Sequence, residues 1–403
     1  VNSFRVASLL GFTSIRKGNP NVVVLTILIL TLVGLNLLFV PSLLGSLVSG
    51  ANDKLITTYS GDIVITSGSD KAPLLGNAQG LLTSIMNIHG VVAATTRITL
   101  GAQMSFNGNR TSAVVFGVQP DLEQQVFKIN QSMIEGDYLT SEDRDQILLG
   151  MQVAGADKPD IELYSRSLQG VHAGDKIKIT FGNGVEKQYT VKGIFYTEFI
   201  QTDVQTFITQ AEFESLMPNT KDHTAYIHIK TTDHTNTQSI ITQISDIRSG
   251  LKILTWQDYA GIVRSMTDSF NVIRAIMNIV NILVAGITVF IVTYIDVTNR
   301  RRQIGIQLAI GITSSSIMLA YLMRVMFLAV LGIALAGLLF FTVVIPLEAQ
   351  YPFRFPFGSV YLLVGLLDLT YMAVTLLGVS MVAVFLPVYG VTRMKVVDAI
   401  WGQ

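Results

Sequence analysis

The sequence predicts an α-helical membrane protein with a four-span transmembrane domain and a large α+β extracytoplasmic domain between spans 1 and 2. Three observations carry this. Half of the 403 residues are hydrophobic and only 14% are charged, against roughly 25% in an ordinary soluble domain. Four apolar runs are each long enough to cross a bilayer, which takes about 20 helical residues. The charges are also sorted. Segment 47–273 holds 17 Lys+Arg and 24 Asp+Glu, and the rest of the chain holds 11 and 4, so a neutral chain divides into −7 and +7.

Residues 1–20 read as a short amphipathic helix leading into the membrane. Span 1 covers 21–46, with Gly34, Asn36 and Pro41 toward its outer end, where a tilt or kink is expected. Its apolar stretch is too long for a signal-peptide core, and no small-x-small cleavage site follows, so it is expected to stay as an anchor. Spans 2, 3 and 4 cover 276–297, 317–345 and 360–387, with a short outer loop at 346–359. Basic residues beside spans remain cytoplasmic. Arg5, Arg16 and Lys17 precede span 1, Arg300, Arg301 and Arg302 lie in the 298–316 loop, and Arg393 and Lys395 lie in the 388–403 tail. Both termini are therefore expected inside a plasma membrane, with 47–273 outside. The acidic balance of that segment is the counterpart of positive-inside topology, or else a surface that meets a cationic substrate or a basic partner.

The outer segment changes character at once. Strands are expected at 61–66, 91–99 and 112–118, with a turn at Asn107-Gly108-Asn109. A helix is expected over 74–89. A β-rich insert runs over 131–208, where 177–181 and 185–191 flank Gly182-Asn183-Gly184 as a hairpin. Helix 210–217, strand 225–230, helix 235–248 and strand 251–255 follow. This order reads as a porter-like subdomain in two parts, 47–130 and 209–256, split by the insert. Residues 257–275 read as a helical stalk that enters span 2 without a breaker. With no cysteine, the domain must rest on its core rather than on disulfides, and its size allows that.

Sites of chemistry are mostly missing. There is no G-x-x-x-x-G-K-[ST], H-E-x-x-H or G-x-S-x-G. His223, His228 and His234 fall within twelve residues; His228 lies in the predicted strand 225–230 and the others in polar loops near its ends, and solvated histidines are expected there rather than metal ligands. No metal site, cofactor or nucleic-acid surface is expected on this chain. Arg324 and Asp368 lie within apolar runs, where ionisable groups turn toward protein or water. They are expected to pair with each other or with a partner subunit, or to mark a pathway. Asn278 and Asn281 in span 2 are expected to hydrogen-bond between helices.

The 298–316 loop carries the most specific motif, R-R-R-Q-I-G-I-Q-L-A-I-G from Arg300 to Gly311. It resembles the R-x-x-E-I-G-I-x-x-A-x-G loop of the FtsX-like permease family, which includes MacB and the lipoprotein-release permeases. Arg301, Ile304, Gly305, Ile306, Ala309 and Gly311 fit that pattern, and Gln303 stands where the family carries Glu. Glu135-Gly136-Asp137-Tyr138 through Leu148-Leu149-Gly150 resembles the family's E-G-R-x-F…V-x-L-G. Segments 171–175 and 191–195 resemble its x-x-G-D-x-I…V-x-G-I-F. Residues 9–19 resemble its leading helix. Val397, Asp398, Ala399 and Ile400 resemble its P-x-x-A-L ending, without the second proline.

The resemblance implies an ABC transporter permease that works as a dimer, with a second copy or a paralogue. Two copies of a cytosolic ABC ATPase would hold the ATP and Mg. No P-loop lies in this sequence, so that ATPase is expected on another polypeptide. The loop would be a coupling helix. Arg300, Arg301 and Arg302 would meet an acidic face, Ile304, Ile306, Leu308 and Ile310 would form an apolar plug, and Gly305 and Gly311 would allow close backbone approach. Three functions follow. The first is ATP-driven export or extraction of a lipoprotein, lipid-like molecule, peptide or drug, with membrane lipids and an extracytoplasmic adaptor or lipoprotein as further partners. The second is a mechanotransmitter that moves nothing and regulates a cell-wall hydrolase outside. The third is a receptor without an ATPase, which the coupling-like loop argues against.

Overall fold

The computed structural model describes residues 20–69, 71–155, 163–234, 237–259, 261–355 and 358–392. The helix expected at 1–20 lies outside them except for Pro20, as does the tail motif at 397–400. Among the described residues, four helices are long and apolar enough to cross a membrane, at Pro20–Ser60, Asp268–Asn299, Ser314–Gln350 and Leu366–Thr392. The chain divides into two compact units. One holds the spans, and the other comprises Ser49–Thr267 with Arg354–Ser359.

The helices are α1 (Pro20–Lys54), α2 (Ala78–Met86), α3 (Pro120–Val126), α4 (Gln210–Leu216), α5 (Gln238–Ile247), α6 (Ile262–Asn299), α7 (Arg301–Ala309), α8 (Ser314–Leu339) and α9 (Leu366–Thr392), besides several shorter turns. Pro41 lies within α1. In the span unit the apolar core joins all four membrane helices, through residues such as Leu37, Val289, Leu328 and Leu376. Two glycines set one close approach. A Cβ on Gly34 would lie 2.8 Å from the Ala336 Cβ, and one on Gly332 would lie 2.7 Å from the Leu30 Cβ. Helices α1 and α8 therefore touch backbone to backbone, as small residues allow in lipid.

The outer unit is built from strands β1 (Ile63–Ser67), β2 (Leu75–Gly76), β3 (Val91–Phe106), β4 (Asn109–Val118), β5 (Met133–Gly136), β6 (Gln146–Gly150), β7 (Lys176–Phe181), β8 (Glu186–Phe195), β9 (Gln205–Thr209), β10 (His223–Thr224), β11 (Tyr226–Thr231) and β12 (Leu251–Thr255). Ten of them form one sheet, ordered β12-β1-β11-β3-β4-β9-β6-β8-β5, with β7 pairing both β3 and β8. The circuit β3-β4-β9-β6-β8-β7 thus closes into a six-stranded barrel. Strand β3 makes this possible by changing partners along its length. Val91–Arg97 pair with β11 and Ala102–Ser105 with β7. Alternate residues point inward, as the two-residue strand period requires. Met104, Val115, Ile147, Ile179, Tyr189 and Ile208 belong to its buried core. A second core lies where α2 and α5 cover β1, β11 and the start of β3, around Ile65, Ile85, Ile229 and Ile244.

The two hairpins lie where the turn residues placed them. Asn107 and Gly108 have φ of 47° and 86°, so both central positions are left-handed, as a tight two-residue turn needs. The organisation differs from the expected one in three places. The insert strands do not form a sheet of their own, because the 91–118 hairpin supplies two of the barrel's six staves. The helix expected over 74–89 begins only at Ala78. Asn77 is left-handed at φ 53°, and Leu75–Gly76 pair instead with β10. The stalk is also interrupted. A single turn, Trp256–Tyr259, is separated from α6 by Gly261 at φ 35°, a conformation that cannot continue a right-handed helix.

Candidate functional site

The loop between the second and third spans folds as α7, and its two faces differ. Ile304 is buried and Leu308 half-buried, both packed on the span core, and Gly305 is buried beside them. Arg302, Gln303, Ile306 and Ala309 are exposed, and so is Ile310, which follows the helix. Ile306 is 48% exposed and Ile310 73%, a costly display for a β-branched apolar side chain unless something covers it. The plug of three isoleucines and one leucine expected from the sequence is thus split. Two members hold the helix to the bundle and two face away. Gly305 is buried, on the same side as Ile304.

The helix ends on a Schellman motif. The Ile312 N–H donates to Gln307 O and the Gly311 N–H to Leu308 O, both at 3.1 Å, with Gly311 at φ 92°. Thr313 then caps α8, its Oγ1 accepting from the Ser316 N–H at 3.4 Å. A stop signal and a start signal in three residues fix where α7 ends and α8 begins.

Behind α7 lies a buried charge cluster. Arg324 of α8 is 4% exposed and pairs with Asp296 of α6, itself 8% exposed. Arg324 Nη1 donates to Asp296 Oδ2, and Nη2 donates to Oδ1 at 3.3 Å. The Arg300 Nε, one residue before α7, donates to the same Oδ1 at 3.2 Å. Asp296 therefore ties the lead-in to α7 to the third span. A small cavity adjoins the pair, walled mostly by apolar side chains such as Ile29, Val289 and Leu328, with Thr26, Thr293 and Tyr321 among them.

Arg324 does not pair with Asp368. The Asp368 carboxylate instead accepts from the Gly365 N–H at 2.9 Å, in the first turn of α9. This follows from geometry, because α9 begins at Leu366 and puts Asp368 at a helix start, where an acid complements the dipole. Asn278 Oδ1 and Asn281 Nδ2 are buried without hydrogen-bond partners, so neither completes the interhelical bonding expected of it within this chain. Asp296 lies inside the 276–297 span but was not singled out from the sequence, where it stands one residue past the uncharged stretch 276–295. Its spacing of four from Arg300 was the available signal.

The histidines also differ from expectation. His228 is a core residue, 1% exposed, with Nδ1 2.8 Å from Ser60 O. Burial, helped by the nearby Arg97 guanidinium, pushes its pKa well below the usual imidazole range. His234 pairs with the buried carboxylate of Asp62. Around His228 the outer unit holds a second buried ion pair that the sequence did not advertise. Arg97 donates to Glu123 Oε1 from Nε at 2.9 Å and from Nη2 at 2.5 Å. Its guanidinium carbon lies 4.0 Å from the Phe127 ring centre.

Comparison with known families finds two matches in chain order. Residues 23–247 match a MacB-like periplasmic core domain, and residues 275–396 match the FtsX-like permease C-terminal domain. The first alone spans more than half of the chain. Comparison with curated proteins finds no match. Among solved structures, one similar chain is the extracellular domain of the noncanonic ABC-type transporter YknZ from Gram-positive bacteria. It shows 10% identity and a TM-score of 0.34, covering 48% of this chain and 99% of that one. Another is the periplasmic region of MacB from Actinobacillus actinomycetemcomitans, at 11% identity and a TM-score of 0.36, covering 50% of this chain and 92% of that one.

Proposed function

This chain belongs to the FtsX/MacB-type permease family, and from that premise we propose that α7 is the coupling helix on which a separate cytosolic ABC ATPase sits. The chain is a multi-pass ABC permease subunit with a large extracellular domain. The ATPase would hold ATP and Mg, and its closure on nucleotide would move α7. The reading places both termini and the 298–316 loop in the cytoplasm, in keeping with Arg300, Arg301 and Arg302. It also has a second permease copy or a paralogue completing the transporter.

The observation that carries the proposal is the exposed apolar pair Ile306 and Ile310 beside Arg302, on a helix whose other face is anchored by Ile304 and Leu308. An anchored helix with an apolar outer face passes a push to the spans instead of yielding to it. Asp296 extends the path, since it joins Arg300 to Arg324 of α8. Movement passed to the outer domain would then drive export or extraction of a lipoprotein, a lipid-like molecule, a peptide or a drug. Regulation of a cell-wall hydrolase outside is the alternative output of the same device.

The test is purification of the full chain from its native membrane in mild detergent, with co-purifying chains identified by mass spectrometry. Wild type should bring down an ABC ATPase. Ile306→Glu with Ile310→Glu should lose it while the permease itself remains monodisperse. An ATPase that stays bound to this double variant would place the contact elsewhere. An adaptor or lipoprotein in the wild-type complex supports transport, and a cell-wall hydrolase supports the alternative.

A further inference from the structure

On the outward face of the barrel, over β3 and β4, lies an open cleft of about 810 Å³, within the roughly 300–1,000 Å³ range of small-ligand sites. Gly101 and Gln103 of β3 and Ser112 and Val114 of β4 line it, all exposed and all on the outward register of their strands. Gln201 and Gln205 line it as well. None of its lining residues carries a charge, although the outer segment as a whole is rich in charge.

Two features of the cleft suit an occupant from outside this chain. The first is Gly101. It sits inside the 16-residue strand β3, where glycine weakens pairing and leaves no side chain to pack. Its backbone is not left-handed, and a Cβ placed on it would meet nothing within 4 Å. It lies where β3 passes from β11 to β7, and its carbonyl accepts from the Gly182 N–H at 2.8 Å, yet no side chain of this fold fills the space above it. A strand glycine marks a bend at a barrel corner or the close approach of a ligand or of another backbone, and the open space over Gly101 leaves room for the approach. The second is Gln205. It is 5% exposed, and its Oε1 has no hydrogen-bond partner. Buried acceptors are nearly always satisfied, so this one awaits a donor.

We propose that the cleft binds a short, extended, uncharged stretch of a peptide substrate, its backbone crossing over Gly101 and one amide N–H donated to Gln205 Oε1. The chemistry fits a peptide backbone. Three glutamine amides and the Ser112 hydroxyl offer both donors and acceptors at neutral charge. Val114, 44% exposed, offers an apolar surface for small side chains. A charged ligand would lose hydration here without gaining a partner. The proposal rests on the transport reading only in calling the peptide a substrate, and binding itself needs no ATPase.

The experiment uses the purified full chain in nanodiscs without any ATPase. Fluorescence anisotropy follows labelled hexapeptides of Gly, Ala, Val and Ser, and the same peptides bearing Lys or Glu at the centre. Saturable binding of the uncharged set is expected, with at least tenfold weaker binding of the charged sets. Gly101→Leu should weaken binding at least tenfold by filling open space, and Gln205→Met about fivefold. A ligand-side control needs no variant, since backbone N-methylation at one position should cost at least fivefold. Absence of saturable binding to the wild-type chain overturns the proposal, as does equal binding by N-methylated peptides or by folded Gly101→Leu. Equal affinity for an acyl chain of similar length would overturn the peptide assignment. Loss of ATPase binding in the Ile306/Ile310 variant bears on α7 alone, so the two ideas fail separately.

Discussion

Asp296 and Arg324 allow a prediction with an internal asymmetry. Removing one member of a buried ion pair costs about 3–5 kcal/mol, because the survivor is left charged and unsolvated. The two survivors differ here. Arg324→Met leaves Asp296 with Arg300 Nε still 3.2 Å away, so its cost should fall at the low end, about 3 kcal/mol. Asp296→Leu leaves Arg324, 4% exposed, in a mostly apolar site whose remaining polar walls are Thr26, Thr293 and Tyr321, none of them a carboxylate, and its Nε already lacks a partner. That cost should approach 5 kcal/mol. The double variant replaces the pair with apolar groups of similar size and should lie within about 1–2 kcal/mol of wild type, as such exchanges are often neutral. The cycle should therefore show a coupling well above about 2 kcal/mol. The assay is reversible unfolding of the full chain by SDS titration in mixed micelles, for all four species. The reasoning is refuted if the single costs simply add in the double variant, or if Asp296→Leu is the cheaper single change.

Three further outcomes are expected. Gly332→Leu should wedge α1 from α8, since even a Cβ would come within 2.7 Å of the Leu30 Cβ; a cost of about 1–3 kcal/mol, as for other overpacked cores, should appear in the same SDS titration, with Gly378→Leu, which has open space around its Cβ position, as the neutral control. Gly311→Val should strain the left-handed cap at φ 92° by about 1–2 kcal/mol, fray α7 and speed amide exchange at Ile310 and Ile312 without altering the outer domain. The outer domain should show two opposed pH dependences. Burial raises Asp203 from 3.8 to about 7, against the Thr197 bonds and Lys54 that hold it down; the folded state then binds a proton that the unfolded state has lost, so stability falls as pH rises from about 4 to about 7. His228, held well below 6.5, stays neutral while the unfolded imidazole gains a proton, so stability falls as pH drops through about 6.5. Amide exchange of the outer sheet against pH should show the His228 slope alone in Asp203→Asn, and a profile for that variant identical to wild type would contradict the assignment.

Features repeated along the chain were the most legible ones in the sequence. Four apolar runs gave four membrane helices because a span needs only length and the absence of charge. The Asn107-Gly108 turn gave the long hairpin because both positions must be left-handed, and those residue types tolerate that. The strands of 131–208 were recognisable, but the barrel was not. Its closure depends on β3 exchanging β11 for β7 partway along, and nothing in the alternation of one strand says which neighbour lies on its edge. The α7 motif was legible as a run of residues, whereas its division into an anchoring face and an exposed face depends on where α9 and the span core lie.

The two buried arginines show why pairing is the hardest part to read. Arg97 and Arg324 have no common motif and lie in different units, yet each meets one carboxylate at a distance in sequence: Glu123, 26 positions on, and Asp296, 28 positions back. Each carboxylate comes from a neighbouring helix, α3 for Arg97 and α6 for Arg324. A guanidinium in a dry site needs a carboxylate in fixed geometry, and either ion alone would be costly enough to unseat its helix. The pair thereby holds one register between two elements and penalises the others. For Arg97 that register joins α3 to β3, where the strand enters the barrel. For Arg324 it joins α6 to α8, with Arg300 carrying the tie to the start of α7. A push on α7 would therefore meet a joint that resists sliding, which is the property a coupling element needs.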